Sequence, residues 1–155
     1  MSRLRVRRYG VDERGWTLIE LLTALVIIGI LMSMTMNKSQ AAMRSAKNAQ
    51  AAVEIMELMT AIDDYELDND MLPVSLAAIG EGGKTDPWGN VYFYAIITDP
   101  SLARKDQFLV PVNTTYDLYS MGADGQSKRH FNAPFSVDDI VRAGDGSYVG
   151  LAAGY

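Results

Sequence analysis

Two groups of carboxylates are placed where they could do chemistry. Glu20 is the only charge between Trp16 and Met36, five residues past Gly15. A lone carboxylate in a hydrocarbon layer costs about 2.5–3.5 kcal/mol on insertion scales. It therefore needs either a partner or a short reach to the interface. The second group lies downstream: Asp124 in Gly122-Ala123-Asp124-Gly125, and the adjacent pair Asp138-Asp139. Hard oxygen donors on flexible backbone suit calcium, and aspartates are also ordinary turn formers. Asp145-Gly146 repeats the Asp-Gly pattern and competes as a source of ligands. His130, the one histidine, stands beside Lys128 and Arg129 and reads as solvated. The sequence contains no GxSxG, no P-loop and no cysteine nucleophile. The carboxylates between Asp63 and Asp70 show no acid–base pairing. This inventory points away from an enzyme.

The elements that must position these groups follow from composition. The 155-residue chain carries a net charge of −5. Its first 15 residues hold Arg3, Arg5, Arg7, Arg8 and Arg14 against Asp12 and Glu13, a net of +3 that leaves −8 for the rest. An acidic body with one basic tip lacks the basic face of a nucleic-acid binder. With no cysteine there is neither a disulfide framework nor a thiolate metal site. Trp16–Met36 is an apolar run of 21 residues, which as a helix spans roughly 30 Å, the thickness of a bilayer core. Its Arg-rich side belongs in the cytoplasm, which sends the C-terminal part across the membrane. A secretory signal core is shorter, at about 7–15 residues. Ser39-Gln40-Ala41 resembles a signal cleavage site, but the run is too long and Glu20 is out of place in it.

Residues 37–66 contain no Pro or Gly and are rich in helix formers. One continuous helix is expected from Trp16 to Glu66, about 75 Å long, ending before Asp68-Asn69-Asp70. Ala42, Ala46, Ala49, Val53, Met56 and Ile62 recur at helical steps, with Met59 between, and are expected to pack on the protein's own sheet. The methionines at 32, 34, 36, 43, 56 and 59 are adaptable packing residues. Strands are expected at 91–97, 107–112 and 116–120, with Pro111 confining the second to an edge or a bulge. Past Ser120 the chain reads as an irregular Gly-, Asp- and Ser-rich tail. The fold class is α+β, a long N-terminal helix packed on a small antiparallel sheet. Its parts are a leader (1–15), an apolar helix half (16–36), an amphipathic half (37–66) and a β-rich unit (67–155).

The basic leader, the Gly15 junction, Trp16-Thr17-Leu18 and Glu20 resemble the class III signal of type IV pilins and type II secretion pseudopilins. Gly29 also falls where that family often places a helix glycine. Asp86-Pro87-Trp88-Gly89-Asn90 and the run Tyr116-Asp117-Leu118-Tyr119-Ser120-Met121-Gly122-Ala123-Asp124-Gly125 are similar to the DPWGN and YDLxSxGxDG signatures of the major pseudopilin. The resemblance implies a pilin-like fold and cleavage after Gly15 by a prepilin peptidase. It also implies methylation of Trp16 as the new N-terminus, and pairing of the Trp16 ammonium with Glu20 of a neighbouring subunit. It further implies a calcium ion held by Asp124, Asp138, Asp139 and the Met121 carbonyl.

The function so implied is that of a structural subunit, anchored by a single span in the inner membrane with its C-terminal part in the periplasm. It polymerises as a homo-oligomeric periplasmic filament for protein export, with other pseudopilins and the inner-membrane platform as partners. A minor pseudopilin or a type IV pilin of a surface fibre is the alternative in the same class. A membrane-anchored calcium-dependent binding module is the alternative of another class. The chain departs from the family pattern at Trp16, which replaces the usual Phe or Met, and at Asn37, where a helix proline is common. The segment 128–136 has no placed counterpart, and it makes the interval from Asp124 to Asp138 longer than the family usually shows.

Overall fold

The computed structural model describes residues 15–155, and the side chains of 34–38 lie outside the described residues. The basic leader and the positions Met34, Met36 and Asn37 therefore fall outside what can be described. The chain divides into two units, one ending at Ala41 and the other running from Ala42 to Tyr155. A single 52-residue helix, α1 (Leu18–Asn69), contributes to both. It closes at Asp70, a non-glycine residue with φ of 54°, two residues beyond Asp68 and so at the Asp-Asn-Asp stop seen in the sequence. In the first unit the helix surface is apolar and exposed nearly all round, from Trp16 through Met32. Among the described residues, no helix is long and apolar enough to cross a membrane.

In the second unit four antiparallel strands follow one another as neighbours: β1 (Phe93–Ile96), β2 (Tyr116–Ser120), β3 (Ile140–Ala143) and β4 (Tyr148–Leu151). Phe93 pairs with Tyr119, Tyr119 with Val141, and Val141 with Gly150, so one register runs across the sheet. Alternation sends Tyr116, Leu118 and Ile140 to one face and Tyr119, Val141 and Ala143 to the other. The helix covers the first face, where Ala51, Ile55, Leu58 and Ile62 form a core with Tyr92, Tyr116, Leu118 and Ile140. Loops cover the second face, where Val112 and Phe131 pack with Val141, Ala143 and Ala152.

Three expectations need correction. The buried helix stripe is Ala51-Ile55-Leu58-Ile62, whereas Val53 is 49% exposed and Met56 47%, and Ala42, Ala46 and Ala49 are exposed as well. Both faces of this helix are apolar, and the sheet takes the one bearing the bulkier Ile55 and Leu58. Only Ile62 is shared between the expected and observed stripes, with Met59 half-buried beside it. Second, residues 107–112 are a turn followed by a single bridge from Lys105 to Pro111. Third, the supposed irregular tail contains β3 and β4, joined through Gly144-Asp145-Gly146.

The turn that replaces the expected strand is a second copy of the Asp86–Asn90 turn. Asp86 Oδ1 accepts the N–H groups of Trp88 at 3.0 Å and Asn90 at 2.8 Å. Asp106 Oδ1 likewise accepts those of Phe108 at 2.8 Å and Val110 at 2.9 Å. The fourth residue of each turn has positive φ, 96° at Gly89 and 66° at Leu109, and a left-handed conformation costs a residue like Leu109 about 1–2 kcal/mol. The segment 128–136 also finds a role, since its Phe131 packs on the second face of the sheet and its buried Ser136 bonds to the Lys128 backbone.

Truncating a helix residue that faces the sheet should leave a cavity, while truncating one that faces away should not. Ile55→Ala is expected to lose about 2–5 kcal/mol of stability and Val53→Ala less than about 0.5 kcal/mol, as measured by chemical denaturation.

Candidate assembly end and signature turns

The N-terminal end is built by local chemistry. Thr17 stands just before the first helical residue, and Glu20 is the third residue within the helix. The Glu20 carboxylate accepts the Thr17 N–H at 2.9 Å and the Thr17 hydroxyl at 2.8 Å, and the Glu20 N–H donates to Thr17 Oγ1 at 3.3 Å. This reciprocal pair is a capping box. It sets a negative charge where the helix dipole favours one. The signal was present in the sequence as Thr-x-x-Glu, and reading Glu20 only as a stranded charge missed it. Both partners lie beyond Gly15, so removal of the leader leaves the box intact. Gly15 and Trp16 precede the helix, with Trp16 75% exposed.

In the second unit the two signature segments are fastened to each other. Asp86 is 4% exposed. Its Oδ1 organises its own turn while Oδ2 accepts the Ser120 hydroxyl, and Ser120 Oγ in turn accepts the Gly122 N–H at 3.0 Å. Asn90 Nδ2 donates to the Gly122 carbonyl at 2.9 Å. Gly122 has φ of 64°, and a Cβ there would collide with the Asp138 carbonyl. The turn is also seated on the helix, because Lys47 donates to the Pro87 carbonyl at 2.9 Å and lies 5.9 Å from the Trp88 ring centroid. The residues that make the motif recognisable are thus the residues that hydrogen-bond across it.

The three aspartates among the expected calcium ligands each accept hydrogen bonds from protein groups. Asp138 Oδ2 accepts the N–H groups of Ala123 at 2.8 Å and Asp124 at 3.1 Å. Asp124 Oδ1 accepts the Gln126 N–H at 2.8 Å. Asp139 is fully buried and pairs with Arg104 Nη2 at 2.6 Å, while its Oδ1 is buried with no hydrogen-bond partner. Burial pushes the Asp139 carboxyl up to about 6, against the opposing pull of Ser127 and Arg104. Asp145 instead braces the loop before β2, accepting the Thr114 N–H at 2.8 Å and the Thr114 hydroxyl at 2.7 Å. Among the described residues no three acidic or histidine side chains converge. Arg104, which sequence reasoning did not single out, is the buried cation paired with Asp139.

A long N-terminal helix laid on a four-stranded antiparallel meander, with a capped N-terminal glutamate and turns locked across the sheet edge, defines a pilin-like α+β protein. The prokaryotic N-terminal methylation motif matches residues 12–36, and the family described as type II secretion system (T2SS), protein G, matches residues 38–133. The chain belongs to that family. It is 31% identical over 134 residues to the type II secretion system core protein G of Vibrio cholerae, covering 74% of this chain and 83% of the relative. Identity to the protein of the same name from Pectobacterium carotovorum is 34% over 152 residues, covering 84% and 85%. To that from Pseudomonas aeruginosa it is 31% over 125 residues, covering 74% and 87%. No solved structure matches the chain.

Hydrogen bonds to a charged group contribute about 1.5–3 kcal/mol, so the two similar turns should respond differently to loss of their aspartate. Asp86→Ala, which strips a buried hub, should lose about 3 kcal/mol or more. Asp106→Ala, nearer solvent, should lose about 1 kcal/mol. Denaturation midpoints of the two variants check this.

Proposed function

We propose that this chain serves type II secretion as a structural subunit that polymerises into the periplasmic pseudopilus. The observation that carries the reading is the match of residues 38–133 to the secretion family, with its DPWGN and YDLYSMGADG segments hydrogen-bonded to each other. A prepilin peptidase cuts after Gly15 on the cytoplasmic side, leaving Trp16 as the N-terminus. The apolar helix half anchors the subunit in the inner membrane by a single span, with the C-terminal unit in the periplasm.

Assembly then turns on Glu20. Among the described residues its carboxylate is held by Thr17. In a filament core the ammonium of a neighbour's Trp16 neutralises it. A buried ion pair adds little over an apolar substitute, while breaking one costs about 3–5 kcal/mol, so the pair sets register more than affinity. The exposed line Ala42, Ala46, Ala49, Val53 and Met56 offers a second contact, an apolar helix face free to pack on neighbouring helices. Other pseudopilins and the inner-membrane platform are the expected further partners.

Mass spectrometry of the mature protein is expected to find Trp16 first, with or without a methyl group, and a retained Met1 would overturn the reading. Glu20→Ala should be cleaved normally yet fail to enter filaments, as scored by shearing and immunoblot. Val53→Asp should leave the domain folded, shifting its stability by less than about 0.5 kcal/mol, and still abolish filaments.

A further inference from the structure

Family membership implies a calcium ion at Asp124, Asp138, Asp139 and the Met121 carbonyl, and in this chain a buried guanidinium already sits on one of those groups, Asp139. We infer that the guanidinium of Arg104 is the resident cation of the C-terminal loops, taking the place of a metal so that they fold without calcium. Arg104 arrives from the segment between β1 and β2, well away from the acidic positions in sequence. Its Nη2 donates to Asp139 Oδ2 at 2.6 Å and its Nη1 to Ser127 Oγ at 2.7 Å. Its backbone N–H donates to Asp117 Oδ2 at 2.8 Å. The guanidinium lies over the rings of Tyr119 at 3.9 Å and Phe131 at 5.2 Å, a stacked, forked geometry that a planar cation fits and a spherical ion does not.

One side chain therefore ties together the 101–112 loop, the 126–139 loop and β2, which is the work a structural metal does. The donors left over do not suit calcium, which takes six to eight oxygens. Asp139 keeps a single unpartnered oxygen, and one oxygen each of Asp138 and Asp124 is committed to backbone N–H groups. A divalent ion placed beside an immobile guanidinium would also meet strong repulsion at low dielectric. Arg44 lines the open groove shared by Asp124 and Asp138, adding a second cation on that side. The inference rests on loop geometry alone, and the secretion reading stands whichever way it falls.

The test uses the full chain in detergent micelles. Its thermal midpoint is expected to agree within about 1 °C in millimolar calcium and in excess EGTA, since a ligand that binds only the folded state would raise it. Calorimetric titration with calcium should give no saturable heat. A calcium-dependent rise of several degrees, or a saturable calcium isotherm, overturns the inference. Arg104→Met should lower the midpoint by about 10 °C or more by stranding a buried carboxylate, and adding Asp139→Asn should recover at least half of that loss. A double variant no more stable than Arg104→Met would show that pairing is not what holds the loops. Should Arg104→Met fail to fold, Arg104→Lys must still melt above Arg104→Gln, and equal midpoints count against the inference.

Discussion

A sheet has two faces, and one helix can cover only one of them. That constraint organises the whole C-terminal unit. Strands β2 and β3 are buried on both sides, so a small domain must find a second layer without a second helix. It does so with two loops, whose apolar contribution is slight: Val112 and Phe131, with Ala152 from the C-terminal end. Arg104 and Asp139 supply the rest. Their charges are removed from water together, stacked on aromatic rings, and they give the loops a fixed geometry that so few apolar contacts would not. Arg142 does similar work on the helix side, with its guanidinium 3.9 Å from the Tyr116 ring and donating to the Asn113 side chain at 3.1 Å.

The edge of the sheet obeys a different constraint. The turn before β1 and the turn after β2 lie side by side, and their backbone polar groups must be satisfied there. Asp86 meets that need with one carboxylate oxygen for its own turn and the other for Ser120. Gly122 permits the approach of the Asp138 backbone that a side chain would block. The signature is therefore a hydrogen-bond circuit. The Asp106 turn uses the same local chemistry with no such circuit around it, which leaves Phe108 outside the core.

At the N-terminal end the physical problem is the reverse. Among the described residues nothing covers the apolar helix surface from Trp16 to Met32, and exposed apolar surface of that extent marks a site of association. The capping box holds Glu20 in a form compatible with a single subunit. A carboxylate has more acceptor sites than the box uses, so a second donor could be accepted without dismantling the helix start.

Local chemistry was legible in the sequence because its partners are close along the chain. The helix and its Asp-Asn-Asp stop, the Asp86 and Gly122 turns, and the Gly15–Glu20 end were all read from residues a few positions apart, and these carry the family and the function. The Thr17–Glu20 box was equally local and was overlooked only because Glu20 drew attention as a charge. What the tertiary structure decided involves distance or choice between equals. Two apolar helix faces compete, and only the sheet selects the one bearing Ile55 and Leu58. Strands β3 and β4, four residues each, exist because β2 gives β3 a partner and β3 gives one to β4. Arg104 and Asp139 stand 35 residues apart, and no periodicity or motif links them. Donor chemistry and the family resemblance drew attention to the aspartates, and nothing in the sequence showed that Asp139 would be buried against Arg104. Charge pairing in a core depends on which segments fold together, and that is settled only when the second face of the sheet is closed.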